Sequence, residues 1–303
     1  MPIQFYPEFR PLELSDLERF KAAFSLQPPQ ISEFTFTNLY SWRSAYNLQI
    51  CDCDGLLLCR SESAEGRRFF APIGLGGHKA VIERVLADNG GVFFRVPEEI
   101  KALFGNEPRF SAEADPDSAD YLYNVADLTI FPGRKYDGKR NLVRRFRNEH
   151  NYQYLRIEES NAALCREFED AWCIIRNCDG VEGLNSERQA VREMVKNFSS
   201  FGLSAGAILV GGKICAIAIG QELNPDTLVI HVLKADPEMT GLYQVMLQEF
   251  LKDEAGRFRY VNMEQDLGIP GLRKSKLSYH PCAMIRKYTV TLKEGRETKH
   301  EGR

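Results

Sequence analysis

The densest run of reactive side chains lies between Asn262 and Pro281, reading Asn-Met-Glu-Gln-Asp-Leu-Gly-Ile-Pro-Gly-Leu-Arg-Lys-Ser-Lys-Leu-Ser-Tyr-His-Pro. Glu264 and Asp266 are two residues apart, so on an extended chain their carboxylates share a side. Either can orient an amine or take a proton as a general base. Gly268, Pro270 and Gly271 then bend the chain. Arg273, Lys274 and Lys276 follow on a short helix whose first-turn N–H groups suit an anion. Ser278, Tyr279 and His280 add proton donors, and Asn262 opens the run. A second reading of the same residues contains no chemistry: the two acids pair with Arg273 and Lys276 to hold the helix in place. A serine-nucleophile triad is a poor fit, because there is no Gly-x-Ser-x-Gly elbow and Ser278 has no recognisable base partner.

Two other stretches carry charge in a patterned way. His231-Val-Leu-Lys234-Ala sits on an apolar run that reads as a central strand, where a regular pleat turns His231 and Lys234 to opposite faces. Lys234 falls at the carboxyl end of that strand, a place where ligands gather, and is a candidate catalytic residue beside Glu264 and Asp266. His231 is a candidate substrate contact, against the ordinary alternative of a satisfied core histidine. Residues 134–147 hold seven Lys/Arg and one acid. Leu142, Val143 and Phe146 form the buried stripe of a helix there, with Arg140, Arg144 and Arg147 on a common exposed side. Lys135, Tyr136, Lys139, Arg140 and Asn141 are candidate contacts for an anion such as a phosphate, an RNA backbone or a lipid head group. The alternative is a solvated face of weak surface ion pairs.

The elements that must position these residues are legible in outline. Ser15 with Glu18 forms the pattern of a capping box at the start of a first helix. Residues 36–46 read as a second helix, and Asp54-Gly55 between two apolar runs as a hairpin turn. A strand at Phe69–Phe70, a helix over 78–89, a strand over 92–96, a short helix after Pro97 and a strand over 110–114 follow. Asp115-Pro-Asp-Ser is a linker-like break. The second half shows helices over 161–178 and 185–201, strands over 205–210 and 214–219, the strand over 227–233, a helix over 241–255, and a short strand over 260–263. A helix over 272–277 and a closing strand over 284–292 complete the order. The same order of element types appears loosely before residue 115 and more clearly after residue 155, without any residue-level repeat.

Composition bounds the rest. The chain has 303 residues, 44% apolar and 27% charged, which is enough for one large core or two medium ones. A net charge of -3 gives no global attraction to nucleic acid or to an anionic membrane. No run reaches the roughly 18 consecutive apolar residues of a membrane span. The amino terminus lacks the basic and apolar regions of a signal peptide, which implies a cytoplasmic location. The eight cysteines form no Cys-x-x-Cys pair and the five histidines are scattered. The expectation is therefore no metal site, with the cysteines acting as buried, reduced, small hydrophobes.

The pattern Gly133-Arg-Lys-Tyr-x-x-Lys-Arg-Asn, then His231-x-x-Lys-Ala with Gly241 and Tyr243, then Asn262-x-Glu-x-Asp-x-Gly with Leu272-Arg-Lys-Ser-Lys-x-Ser-Tyr-x-Pro, resembles bacterial proteins similar to the C-terminal domain of phosphatidylglycerol lysyltransferase. The resemblance covers roughly residues 10–292, and its last motif is the most specific. It implies an α+β, tandem GNAT-like (acyl-CoA N-acyltransferase-like) fold. Each of its two lobes has a mixed, mostly antiparallel sheet flanked by helices: an N-terminal lobe over 1–130, a C-terminal lobe over 131–292, and a flexible tail over 293–303. It also implies kinship with enzymes that move an aminoacyl group from aminoacyl-tRNA to a lipid. Arg273, Lys274 and Lys276 carry over as substrate-binding candidates, joined by Ser278, Tyr279 and Asn262. Two features depart from the pattern. The lysyltransferases carry a multi-span membrane domain that this chain does not show, which weighs against a lipid acceptor. The loop that grips the CoA pyrophosphate in ordinary acetyltransferases reads here Lys234-Ala-Asp-Pro-Glu-Met-Thr-Gly, with one glycine and two acids.

The expected function is an acyl- or aminoacyl-transferase working by direct transfer. The sequence names no certain cofactor; the anionic acyl donor is aminoacyl-tRNA in preference to acetyl-CoA, and the acceptor is an amine or hydroxyl on a small molecule, peptide or lipid. The alternatives are a non-catalytic GNAT-like module that binds an anionic ligand or RNA, and a CoA-dependent N-acetyltransferase.

Overall fold

Asp54 and Gly55 both adopt left-handed backbone, and Cys53 pairs directly with Leu56 across them. This is the two-residue turn that suits the right-handed twist of a hairpin. The structure, a computed structural model, describes residues 2–63, 66–105, 107–180, 183–254 and 256–293. Its first elements are β1 (Arg10–Pro11), α1 (Leu17–Leu26), α2 (Phe36–Ser41), β2 (Gln49–Cys53), β3 (Leu56–Ser63), β4 (Gly66–Phe70), α3 (His78–Asn89), β5 (Val92–Pro97), α4 (Glu98–Ala102) and β6 (Phe110–Ala114). Then come β7 (Asp120–Asn124), α5 (Val125–Ile130), α6 (Asp137–Glu149), β8 (Tyr152–Ile157), α7 (Ala163–Arg176), α8 (Leu184–Lys196), β9 (Ser204–Val210) and β10 (Lys213–Asn224). The chain continues through β11 (Thr227–Ala235), α9 (Leu242–Asp253), β12 (Tyr260–Asn262), α10 (Pro270–Leu277), β13 (Ala283–Ile285) and β14 (Lys287–Leu292). Among the described residues no helix is long and apolar enough to cross a membrane.

Two compact units result, each discontinuous in sequence: 1–27, 46–118 and 286–303 form one, and 28–45 with 119–285 the other. This division differs from the lobes over 1–130 and 131–292 and the tail over 293–303 that the sequence implies. The difference arises because the strand expected over 284–292 is two strands in two sheets. β13 pairs with β7 in the second unit, whereas β14 lies between β5 and β6 in the first. The first unit's sheet has the order β1-β2-β3-β4-β5-β14-β6, with β4 and β5 parallel. Of the polar tail expected over 293–303, all but Lys293 lies outside the described residues.

The second unit carries the strands ordered β13-β7-β12-β11-β10-β9-β8. β8 to β11 are antiparallel neighbours, whereas β11 and β12 run parallel and pair only from Thr227↔Tyr260 to Val229↔Asn262. Beyond that point the two strands part, because β11 continues along β10 while the chain after Asn262 turns away. β11 is also bulged. Ile230 pairs with Gly220 and Val232 with Ile219, so His231 is an extra residue on that side. A Cβ on Gly220 would lie 2.5 Å from the carbonyl oxygen of Val229, so only glycine admits this approach. One side of the sheet packs against Val143 and Phe146 of α6 and Leu242, Val245 and Phe250 of α9, with Ile230 and Ala216 from the sheet.

Several local expectations are corrected by the structure. Ser15 does not cap α1. It lies inside a short 3₁₀ turn over Leu14–Asp16, and the capping box is made by Glu13 and Asp16. β7, α5 and β8 were not anticipated, because they follow a linker-like break or the basic helix without a clean period of their own. Two of the cysteines expected to be reduced are joined: Cys173, in the last turn of α7, forms a disulfide with Cys178 across the turn that follows.

α6 and α9 cross so closely that a Cβ on Gly241 would lie 2.2 Å from the carbonyl oxygen of Leu142, and Gly241 has φ +91. Gly241→Ala is therefore expected to destabilise the protein by roughly 2–4 kcal/mol. Urea unfolding would show it as a lowered midpoint with an unchanged slope.

Candidate functional site

The chain leaving β12 is fixed residue by residue. Asn262 is fully buried; its side-chain amide donates to Asp120 Oδ2 (3.0 Å), and its Oδ1 accepts the N–H of Glu264 (2.8 Å). Asp120 also accepts the N–H of Ser32 (2.7 Å) and its hydroxyl (2.9 Å). Glu264 and Leu267 sit at φ +57 and +55, a region that non-glycine residues enter at a cost of about 1 kcal/mol or more. Lys276, on α10, holds this loop from beneath: its buried ammonium donates to the carbonyls of Met263 and Gln265.

Asp266 is the other anchor. Its carboxylate is 1% exposed and forms a two-pronged pair with Arg273, Nε to Oδ2 and Nη2 to Oδ1, both at 2.8 Å. It also accepts the Tyr121 hydroxyl and the Gly268 N–H. The Arg273 guanidinium, aided by these other donors, holds the Asp266 carboxyl well below its usual 3.8, at about 2. Such a group is a poor proton acceptor at neutral pH and has no free lone pair to use; it positions α10 against the loop. The depressed value means its stabilisation is full above about pH 4 and is lost as the pH falls towards 2. Asp266→Asn is expected to lower stability at pH 7 by roughly 3 kcal/mol and to flatten the acid limb between about pH 4 and 2. Denaturation midpoints measured across that range check it.

Where β11 and β12 part, His231 meets Glu264. The imidazole is 1% exposed and its Nδ1 lies 2.9 Å from Glu264 Oε1, whose side chain is 22% exposed. A carboxylate accepts, so Nδ1 donates. His231 Nε2 is buried and has no hydrogen-bond partner among the described residues. Buried polar atoms are nearly always paired, so a buried imidazole nitrogen oriented by a carboxylate and left without a partner stands out.

Lys234 lies elsewhere. The bulge sets Leu233 and Ala235 towards α9 and Lys234 towards α7 and α8. There its ammonium, 6% exposed, meets Glu169 (2.7 Å) and Glu187 (2.9 Å) above the Trp172 ring. Burial pushes the Glu169 carboxyl up, against the pull of Lys234. Two carboxylates take two of its three N–H donors and offset its charge, so Lys234 is engaged with α7 and α8. Glu169 went unnoticed in the sequence. An acid on the otherwise apolar stripe of Cys165, Phe168 and Cys173 was the available signal that a buried cation opposes it.

The basic segment divides. Arg140 donates to the carbonyls of Phe131 and Gly133 and pairs with Asp137, so it closes its own turn. Asn141 accepts from Arg144, and Arg147 pairs with Glu249. Tyr136 is fully buried with its hydroxyl on the Tyr279 carbonyl (2.8 Å); Lys135 is exposed, its carbonyl accepting from His280. Lys139 reaches the residue that ends α10. Its Nζ donates to Ser278 Oγ at 2.6 Å and lies 3.6 Å from the centroid of the Tyr279 ring. Tyr279 is held in turn by Gln244 (2.8 Å). Among the described residues no carboxylate lies within 4.0 Å of Lys139, and burial lowers its ammonium from 10.5 to about 8. Ser278 forms the edge of an open cleft of about 550 Å³ that Pro270, Arg273, Lys274 and Leu277 also line. Of the candidate cations, Arg273 and Lys274 line this cleft and Lys139 touches its rim through Ser278. Lys276 is buried under the loop, and Arg140 and Lys234 are engaged elsewhere. Among the described residues no three His, Cys, Asp or Glu side chains are placed to hold a metal ion.

The two mixed sheets flanked by helices have a tandem GNAT-like (acyl-CoA N-acyltransferase-like) fold. Residues 24–291 match the family described as phosphatidylglycerol lysyltransferase, C-terminal, and the chain belongs to that family. Its character is thus transferase-like. Among solved structures, a conserved protein of unknown function from Bacteroides thetaiotaomicron is 35% identical over 94% of this chain and 99% of that one, with a TM-score of 0.85. L-PGS of Bacillus licheniformis shares the fold at 14% identity, a TM-score of 0.62, and coverage of 97% and 95%. An uncharacterised protein of Mycoplasmoides gallisepticum is 22% identical over 177 residues, 57% of this chain and 56% of that protein, so the match spans just over half of that relative's length.

Proposed function

We propose that the protein transfers an acyl group, aminoacyl from aminoacyl-tRNA before any other, to an amine or hydroxyl acceptor. The observation that carries this reading is the His231–Glu264 pair. Glu264 fixes the imidazole through Nδ1, and the bare, buried Nε2 takes the proton of the acceptor as it attacks the acyl carbonyl. The cleft along α10 suits the donor, because Lys274 and Arg273 supply positive charge beside the apolar faces of Pro270 and Leu277. Asp266, Lys276 and Asn262 position these groups without touching substrate.

A CoA thioester fits less well. After β11 the chain turns on Asp236, whose Oδ1 accepts the N–H of Glu238 (3.0 Å). That sets two carboxylates before the start of α9, where a pyrophosphate would need N–H groups and no negative charge.

The test is a transfer assay with labelled aminoacyl-tRNA and, separately, acetyl-CoA, against amine and hydroxyl acceptors. Wild type is expected to move label from the tRNA, with binding that weakens steeply from roughly 50 to 200 mM salt. Glu264→Gln and His231→Gln are expected to lower kcat by about 10²–10⁴ while leaving tRNA affinity unchanged. Salt-insensitive tRNA binding, or full turnover in Glu264→Gln, contradicts the proposal. Binding without turnover in wild type favours a non-catalytic module.

A further inference from the structure

Lys139 and Ser278 are 139 residues apart in sequence and 2.6 Å apart in space. Three features set them off from an ordinary surface contact. Lys139 has no carboxylate within 4.0 Å among the described residues, although nearly every other cation on α6 has an anionic or carbonyl partner. Its Nζ is sandwiched between the Ser278 hydroxyl and the Tyr279 ring, so it is half-buried and aimed at one oxygen. Ser278 in turn forms part of the wall of the cleft along α10, where Lys274 lies one helical turn back on the same face.

We propose that Ser278 and Lys139 form a nucleophile–base pair that takes up an acyl group from an activated ester or thioester as an O-acyl-serine. The proposal rests on the acyl-transferase reading for the identity of the group. The neutral Lys139 amine accepts the Ser278 hydroxyl proton as Oγ adds to the carbonyl carbon. Lys274 supplies positive charge for the tetrahedral oxyanion. Collapse breaks the bond to the leaving alcohol or thiol, which takes the proton back from the Lys139 ammonium. An amine or hydroxyl acceptor then attacks the serine ester and gives its proton to His231 Nε2, while Lys139, protonated again from water, returns a proton to Ser278 Oγ as that oxygen departs; His231 then releases its proton to water. Burial prepares the base: with its ammonium lowered to about 8, roughly a tenth of Lys139 is unprotonated at pH 7. In the resting state the Ser278 hydroxyl donates to the Ser275 carbonyl at 2.5 Å and accepts from Lys139, and it must rotate towards Nζ when that group is neutral. The sequence offered no base for Ser278 and pointed to direct transfer; the fold supplies one from α6.

An alkyl fluorophosphonate, which needs no acyl donor, is the probe. Intact wild-type protein is expected to gain one adduct, mapped by mass spectrometry to Ser278. Labelling is expected to be absent in Ser278→Ala and slowed on the order of 100-fold in both Lys139→Met and Lys139→Arg. Arginine keeps the charge and the contact but cannot act as the base, so its failure to rescue separates proton transfer from mere support. No adduct on folded wild type, or undiminished labelling in Lys139→Arg, overturns the pair. Undiminished acyl transfer by Ser278→Ala also overturns it while leaving the transferase reading intact. An adduct at Ser278 in a protein that transfers no acyl group supports the pair and sinks the transferase reading instead.

Discussion

The pair between Asp266 and Arg273 is the constraint on which the rest of the site depends. One carboxylate, 1% exposed, takes two guanidinium bonds, a tyrosine hydroxyl and a backbone N–H. It cannot be removed without leaving Tyr121, Gly268 and Arg273 short of a partner. It ties α10 to the loop that leaves β12, and Lys276 makes the same connection one turn further on by binding two carbonyls of that loop. The left-handed backbone at Glu264 and Leu267 is held in place by these bonds. A strained loop held at both ends is a way to aim one side chain, and the side chain aimed here is Glu264.

The second constraint is the early parting of β11 and β12. Parallel pairing ends at Val229↔Asn262, two residues short of both His231 and Glu264. The bulge at His231 and the turn after Asn262 then bring an imidazole and a carboxylate together where the pairing of β11 with β12 has stopped, while Met263 and Glu264 still bond Tyr121 of β7. The same bulge sets the phase of the strand's far end, so Lys234 is carried into a buried cluster with Glu169 and Glu187 and away from the helix α9 side. One extra residue in a strand thus decides which of two neighbouring basic side chains keeps a free nitrogen.

How far the sequence foretold this follows from the range of the interactions. Elements with a clean period, such as α3, α6, α9 and the β9–β10 hairpin, were legible because each is specified within a dozen residues. The tandem GNAT-like class was legible from the motifs around residues 133, 231 and 262. The role of Asp266 was visible only as one of two readings, and the geometry favours the structural one. His231 and Glu264 were both singled out, yet their contact was not, since it depends on parallel pairing between strands 33 residues apart. Lys139 and Ser278 were likewise singled out separately. Glu169 and Glu187 escaped because nothing local marks an acid on a helix as the partner of a strand lysine.

The most direct test of the account is the protonation of the His231 ring, read by ¹⁵N NMR on histidine-labelled protein and assigned by its loss in His231→Gln. The account requires a proton on Nδ1, directed at Glu264, and a bare Nε2 in the free protein. A neutral ring with its proton on Nε2 and a bare Nδ1 would contradict it, since His231 would then have nothing to receive the acceptor's proton.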